Sequence, residues 1–131
     1  MAWASRKVNL GAVLLELSED TNPNIVVGTK VRLKADEMDN IESAITASVE
    51  ASLRRLGHGA VDLIQFHNRL GPDRTAADPA MVGDLAQIVQ TFAKLQKAGK
   101  VRFWGITALG ETDALRAAVD QGGFHSIQKR V

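Results

Sequence analysis

The chain of 131 residues has no cysteine, no tyrosine and only three prolines. Without cysteine it can build neither a disulfide framework nor a thiolate metal site. No apolar run comes near the roughly 20 residues of a membrane-spanning helix. The opening Met-Ala-Trp-Ala-Ser-Arg-Lys lacks the apolar core of a secretory signal. An excess of one charge is missing too. Sixteen basic residues are interspersed with 15 acidic ones for a net charge of +1, leaving no basic stripe for nucleic acid and no acidic tail. A soluble, cytoplasmic protein with neither nucleic acid nor membrane as partner is the expectation. The missing tyrosine removes the phenol from the available acids.

What is present is ordinary globular material, 45% hydrophobic and 24% charged. The length fits a single domain over residues 1–131, and it is short for a complete β/α barrel. Periodicity predicts a helix over Arg6 to Leu17, then a loop at Asp20 to Asn24 broken by Pro23. Ile25 to Val31 is β-branched and apolar, as a buried strand is. Asp39 and Glu42 have capping-box spacing ahead of a helix burying Ile41, Ala44, Ile45, Val49, Leu53 and Leu56 and stopping at Gly57. Val61 to His67 is the second strand, and Asn68 to Ala80 a longer loop. A helix from about Met81 follows, with Leu85, Ile88, Val89, Phe92 and Leu95 inward. Val101 to Thr107 is the third strand, Thr112 to Gln121 a helix, and Phe124 to Gln128 the start of a fourth strand. Strands separated by helices imply parallel pairing with right-handed crossovers. The sheet is then either open and doubly wound or an arc of a barrel.

Alternation along a strand tests whether candidate residues share a face. Lys30 shares one with Val26 and Gly28, His67 with Leu63 and Gln65, Thr107 with Phe103 and Gly105, and Gln128 with Ser126. The opposite set, including Val27, Thr29, Ile64, Phe66, Trp104, Ile106 and Ile127, is bulky and suits packing under helices. In a barrel, Lys30, His67, Thr107 and Gln128 would ring the C-terminal mouth, where such folds keep their chemistry. Singly, a strand-end Lys is usually just solvated and a His after an apolar run can be a hydrogen-bonded core residue. Asp62 is read as structural, capping a loop or pairing with a basic neighbour, and His58 and His125 as exposed loop residues. No Gly-x-Gly-x-x-Gly follows a strand, and no His and carboxylate spacing suits a metal.

Several segments resemble the aldo-keto reductases. Ser52-Leu53-Arg54-Arg55-Leu56-Gly57 followed by Val61-Asp62-Leu63 and Gln65-Phe66-His67 is similar to that family's helix and fourth strand. Gly99 to Thr107 resembles the stretch entering its fifth strand, Thr29-Lys30-Val31 the end of its third, and Asn9-Leu10-Gly11 the helix before that. The resemblance implies part of a TIM-type (β/α)₈ barrel, about four parallel strands alternating with helices, from the third strand to the sixth. It implies NADPH as cofactor and a small aldehyde or ketone as substrate. In that family a Tyr protonates the carbonyl oxygen, a Lys lowers the Tyr pKa, an Asp pairs with the Lys, and a His polarises the carbonyl. Lys30 matches the Lys and His67 the His. Thr107 stands at a Ser-like position and Gln128 at a Gln, both of which would contact the nicotinamide carboxamide. Ala108 stands where many members carry Asn.

The departures shape the functional expectation. The family Tyr and Asp precede the helix containing Asn9, and this chain has no Tyr. The expectation is therefore a truncated, catalytically incomplete NADPH-dependent oxidoreductase, or alternatively a non-catalytic binding protein derived from the same barrel. An in-frame upstream segment carrying Asp and Tyr would favour the first. Open strand edges predict self-association or marginal stability with aggregation.

Overall fold

The computed structural model describes residues 26–129. The predicted helix at Arg6 to Leu17 and the loop at Pro23 lie outside them. Four strands form one parallel sheet: β1 (Gly28–Val31), β2 (Val61–Phe66), β5 (Val101–Thr107) and β6 (Ser126–Gln128), in the spatial order β1-β2-β5-β6. Helices α1 (Ile41–Leu56), α2 (Leu85–Lys97) and α3 (Thr112–Gln121) make the crossovers. Each strand pairs with the next in the chain, apart from a two-residue parallel ladder of β3 (Leu70–Gly71) and β4 (Ala80–Met81) inside the loop after β2. That ladder was not expected from the sequence.

The two faces of the sheet are unlike. Val31, Ile64, Phe66, Trp104 and Ile106 point under the helices and are buried. They meet Ile41, Ile45, Val49, Leu53 and Leu56 of α1 and Leu85, Ile88, Phe92 and Leu95 of α2 in a single apolar cluster. Phe92 and Trp104 stack within it, ring centroids 6.3 Å apart. Fully burying each such side chain contributes about 1.5–3 kcal/mol, so this layer supplies the cohesion of the fold. On the other face Val26 is 74% exposed and Phe103 46%. A doubly wound sheet would cover both faces; among the described residues this one is covered on one.

Helix starts differ in detail from the sequence expectation. The Asp39 and Glu42 capping box is replaced by a 3₁₀ turn over Ala35–Asn40. There the Lys34 N–H donates to Glu37 Oε1 at 2.9 Å and the Glu37 N–H to the Lys34 carbonyl at 3.0 Å. A second 3₁₀ turn, Val82–Asp84, delays α2 to Leu85.

Candidate functional site

Register sets the height of each candidate side chain in the open face. Lys30 pairs with Gln65, Gln65 with Gly105, and Gly105 with Ser126, forming one row across all four strands. Thr107 pairs with Gln128 in the next row toward the C-terminal end, and His67, two residues beyond Gln65, joins that row. All four predicted residues therefore share the open face, but Lys30 lies one row deeper than the other three. Lys30 and Gln128 line a single trough of about 370 Å³ with Gly28, Thr29, Leu63 and Gln65. His67 and Thr107 stand at its C-terminal rim rather than in its lining.

Contacts at the rim are few and short. His67 Nδ1 lies 3.0 Å from Thr107 Oγ1. Partial burial, and after it the Lys30 ammonium and the Arg32 guanidinium, hold the His67 pKa below the ordinary imidazole range. Desolvation and nearby cations both disfavour imidazolium, so the ring is neutral at pH 7. Among the described residues neither Lys30 nor Arg32 forms an ion pair with a carboxylate.

Two rim residues escaped the sequence reading. Arg32, one step past β1, acts on His67 through space. Asn68 is buried, and its amide spans the strand ends: Oδ1 accepts from the Leu33 N–H at 2.9 Å and Nδ2 donates to the Leu33 carbonyl at 2.8 Å. This side chain continues the β1–β2 ladder after the backbone pairing stops, holding Lys30, Arg32 and His67 in register. A polar residue directly after an apolar strand was the available signal.

Gly105 serves the site by its absent side chain. A Cβ there would run into Ser126 Oγ and stand 2.6 Å from the Ser126 carbonyl oxygen, so only glycine lets β5 and β6 meet on this face. Ser126 Oγ is buried and has no hydrogen-bond partner among the described residues. At the rim, the Leu70 N–H bonds the Leu109 carbonyl and the Glu111 N–H the Leu70 carbonyl, both at 2.9 Å, tying the loop after β2 to the loop after β5. Gly110, at φ +119°, permits that approach. Arg74 makes a bidentate pair with buried Asp84, at 3.0 and 2.9 Å, bracing the same loop. Among the described residues no group of three His, Asp or Glu gathers to hold a metal, and no helix is long and apolar enough to cross a membrane.

A family model described as the aldo/keto reductase family matches residues 3–127. The chain belongs to that family. Among solved structures, an aldo-keto reductase from Bacillus halodurans in its apo form superposes with a TM-score of 0.65 at 22% identity, covering 95% of this chain and 36% of the other. An aldo-keto reductase from Klebsiella pneumoniae in complex with NADPH gives 0.68 at 23% identity, covering 95% and 38%. A glycerol dehydrogenase from Gluconobacter oxydans gives 0.68 at 20% identity, covering 98% and 37%. No curated protein sequence matches significantly. The aldo/keto reductase chain thus spans little more than a third of the length of these relatives. Its four parallel strands are an arc of a (β/α)₈ barrel, and the trough is the inner face of that arc.

Proposed function

We propose that this aldo/keto reductase arc supplies one wall of a site for NADPH-dependent reduction of a small aldehyde or ketone. Lys30 and His67 are its catalytic residues, and Thr107 and Gln128 bind the cofactor. The observation that carries the reading is the register. It puts a Lys and a His from different strands on one face, Lys30 in the trough one row below His67 at its C-terminal rim, where burial and then the ammonium depress the imidazole pKa. The Ser126 Oγ that finds no partner among the described residues, with the hydroxyl of Thr107 and the amide of Gln128, fits the flat, polar carboxamide end of a nicotinamide. Bound NADPH would supply the hydride; everything else falls to side chains.

Neutral His67 directs an N–H at a carbonyl oxygen and stabilises the negative charge that grows there. The Lys30 ammonium, with no carboxylate partner among the described residues, favours the ionised form of any acid beside it. An ammonium next to a phenol brings that weak acid toward the working pH and so fits it as a proton donor. The chain has no tyrosine. We therefore propose that residues 1–131, as one partial domain, are catalytically incomplete, the acid coming from a segment that completes the barrel. The exposed Val26 and Phe103 support self-association of the isolated chain. Sedimentation showing a compact monomer at micromolar concentration would contradict that.

The test of function completes the barrel with the flanking segments of a full-length family member and measures NADPH oxidation with an aldehyde. The expected result is measurable reduction that falls by about 10²–10⁴ on Lys30→Met or His67→Ala. Full rate in the double variant would remove both residues from the mechanism.

A further inference from the structure

We infer that Thr107 is a positioning residue that fixes the tautomer of His67, its hydroxyl donating to Nδ1 so that the ring proton resides on Nε2. The inference rests on the proposed role of His67 and deepens it, because only a ring with its proton directed at the substrate can polarise a carbonyl. The geometry is a 3.0 Å contact between Thr107 Oγ1 and His67 Nδ1, which link neighbouring strands in the same row at the rim of the trough.

Two arrangements satisfy that distance: hydroxyl to ring, or ring N–H to hydroxyl. Thr107 is 9% exposed, and His67 Nδ1 is the single side-chain partner that its Oγ1 finds among the described residues. If Nδ1 carried the proton, the buried hydroxyl hydrogen would have no acceptor among the described residues, a costly arrangement. With the hydroxyl donating, both groups are satisfied. Threonine then holds lone pairs in reserve, free to accept from a carboxamide N–H of a bound nicotinamide. One side chain would serve cofactor and imidazole at once. Glutamine at 128, in register beside Thr107, does not compete, since it makes no hydrogen bond to the ring. Partial burial, and after it Lys30 and Arg32, disfavour the doubly protonated ring, which makes the choice of nitrogen consequential.

The test reads the ring directly. In the full chain labelled with ¹⁵N-histidine, long-range ¹H–¹⁵N spectra at pH 7.5 distinguish protonated from bare ring nitrogens. The expected wild-type spectrum for His67 has Nε2 protonated and Nδ1 bare. Thr107→Val should populate both tautomers, and Thr107→Ser should restore the wild-type pattern. A wild-type ring with Nδ1 protonated overturns the inference, as does a Thr107→Val spectrum identical to wild type. Should the valine variant fail to fold, Thr107→Ala replaces it, and the wild-type spectrum decides on its own. No cofactor or substrate is present, so loss of the reductase reading in the completed barrel leaves this result unaffected.

Discussion

The two ends of the same strands treat charge in opposite ways. At the N-terminal end, Asp62 Oδ2 accepts from the Val27 N–H at 2.8 Å and its Oδ1 from Arg102 at 3.1 Å, so one carboxylate stitches β2 to its neighbours on both sides. Nearby, Lys100 pairs with Glu50, whose pKa falls through that hydrogen bond. At the C-terminal end, Lys30 and Arg32 have no such partner among the described residues, and burial followed by these two charges holds the His67 pKa down. Paired charge at one end builds the sheet. Unpaired charge converging at the other is what a reaction centre needs, at a cost in stability that the well-packed core absorbs.

That contrast can be broken most sharply in the completed barrel, where Lys30→Met should cost at least a hundredfold in rate while Asp62→Ala leaves rate per folded molecule nearly unchanged. Equilibrium unfolding of the isolated chain should reverse the ranking. Asp62→Ala strands a backbone N–H and should cost about 1–3 kcal/mol, whereas Lys30→Met should stay within about 0.5 kcal/mol of wild type, as expected away from structural features. A large loss from Lys30→Met would mean that its charge is structural after all.

Asn68→Ala occupies the middle ground, because its amide is structural while the residues it aligns are the candidate catalytic pair. Removing the clamp leaves both Leu33 backbone groups unsatisfied and should cost about 1–3 kcal/mol, measured by urea unfolding. It should also lower the rate of a completed barrel more than an equally destabilising change under the helices.

Smaller effects come from pH. The folded-state pKa of His67 is depressed, so the unfolded chain binds the extra proton first as acidity increases. Stability contributed by this site should therefore be level above about pH 6.5 and fall as pH drops from there toward the folded-state value. His67→Gln should flatten that part of the profile. Smallest of all, Arg32→Ala should raise the His67 pKa by less than the burial and Lys30 contributions it leaves in place.

Much of this arrangement was legible in residue order. Strand and helix positions followed from apolar periodicity, with α1 inward residues Ile41, Ile45, Val49, Leu53 and Leu56 buried and Ala44 partly so, and alternation put Lys30, His67, Thr107 and Gln128 on one face. Alternation fixes the side of a sheet but not the height along it. That Lys30 sits a row below His67 depends on its pairing with Gln65, a long-range fact no local pattern contains. Asn68 read as the first loop residue because its partner, Leu33, lies 35 positions away. Arg32 was overlooked because the apolar run ends at Val31 and its effect on His67 needs the folded distance. The β3–β4 ladder and the Arg74–Asp84 pair arise in a polar stretch without periodicity, where only tertiary contact decides the structure. Ile127 was expected under a helix yet is 47% exposed, since no helix follows β6 among the described residues.

The most direct measurement is an NMR titration of the His67 imidazole in the wild-type chain and in Lys30→Met. A wild-type pKa below the usual 6.5 that climbs toward it on removing the ammonium is predicted. An ordinary wild-type value, or one that Lys30→Met does not move, would contradict a shared mouth for these two side chains.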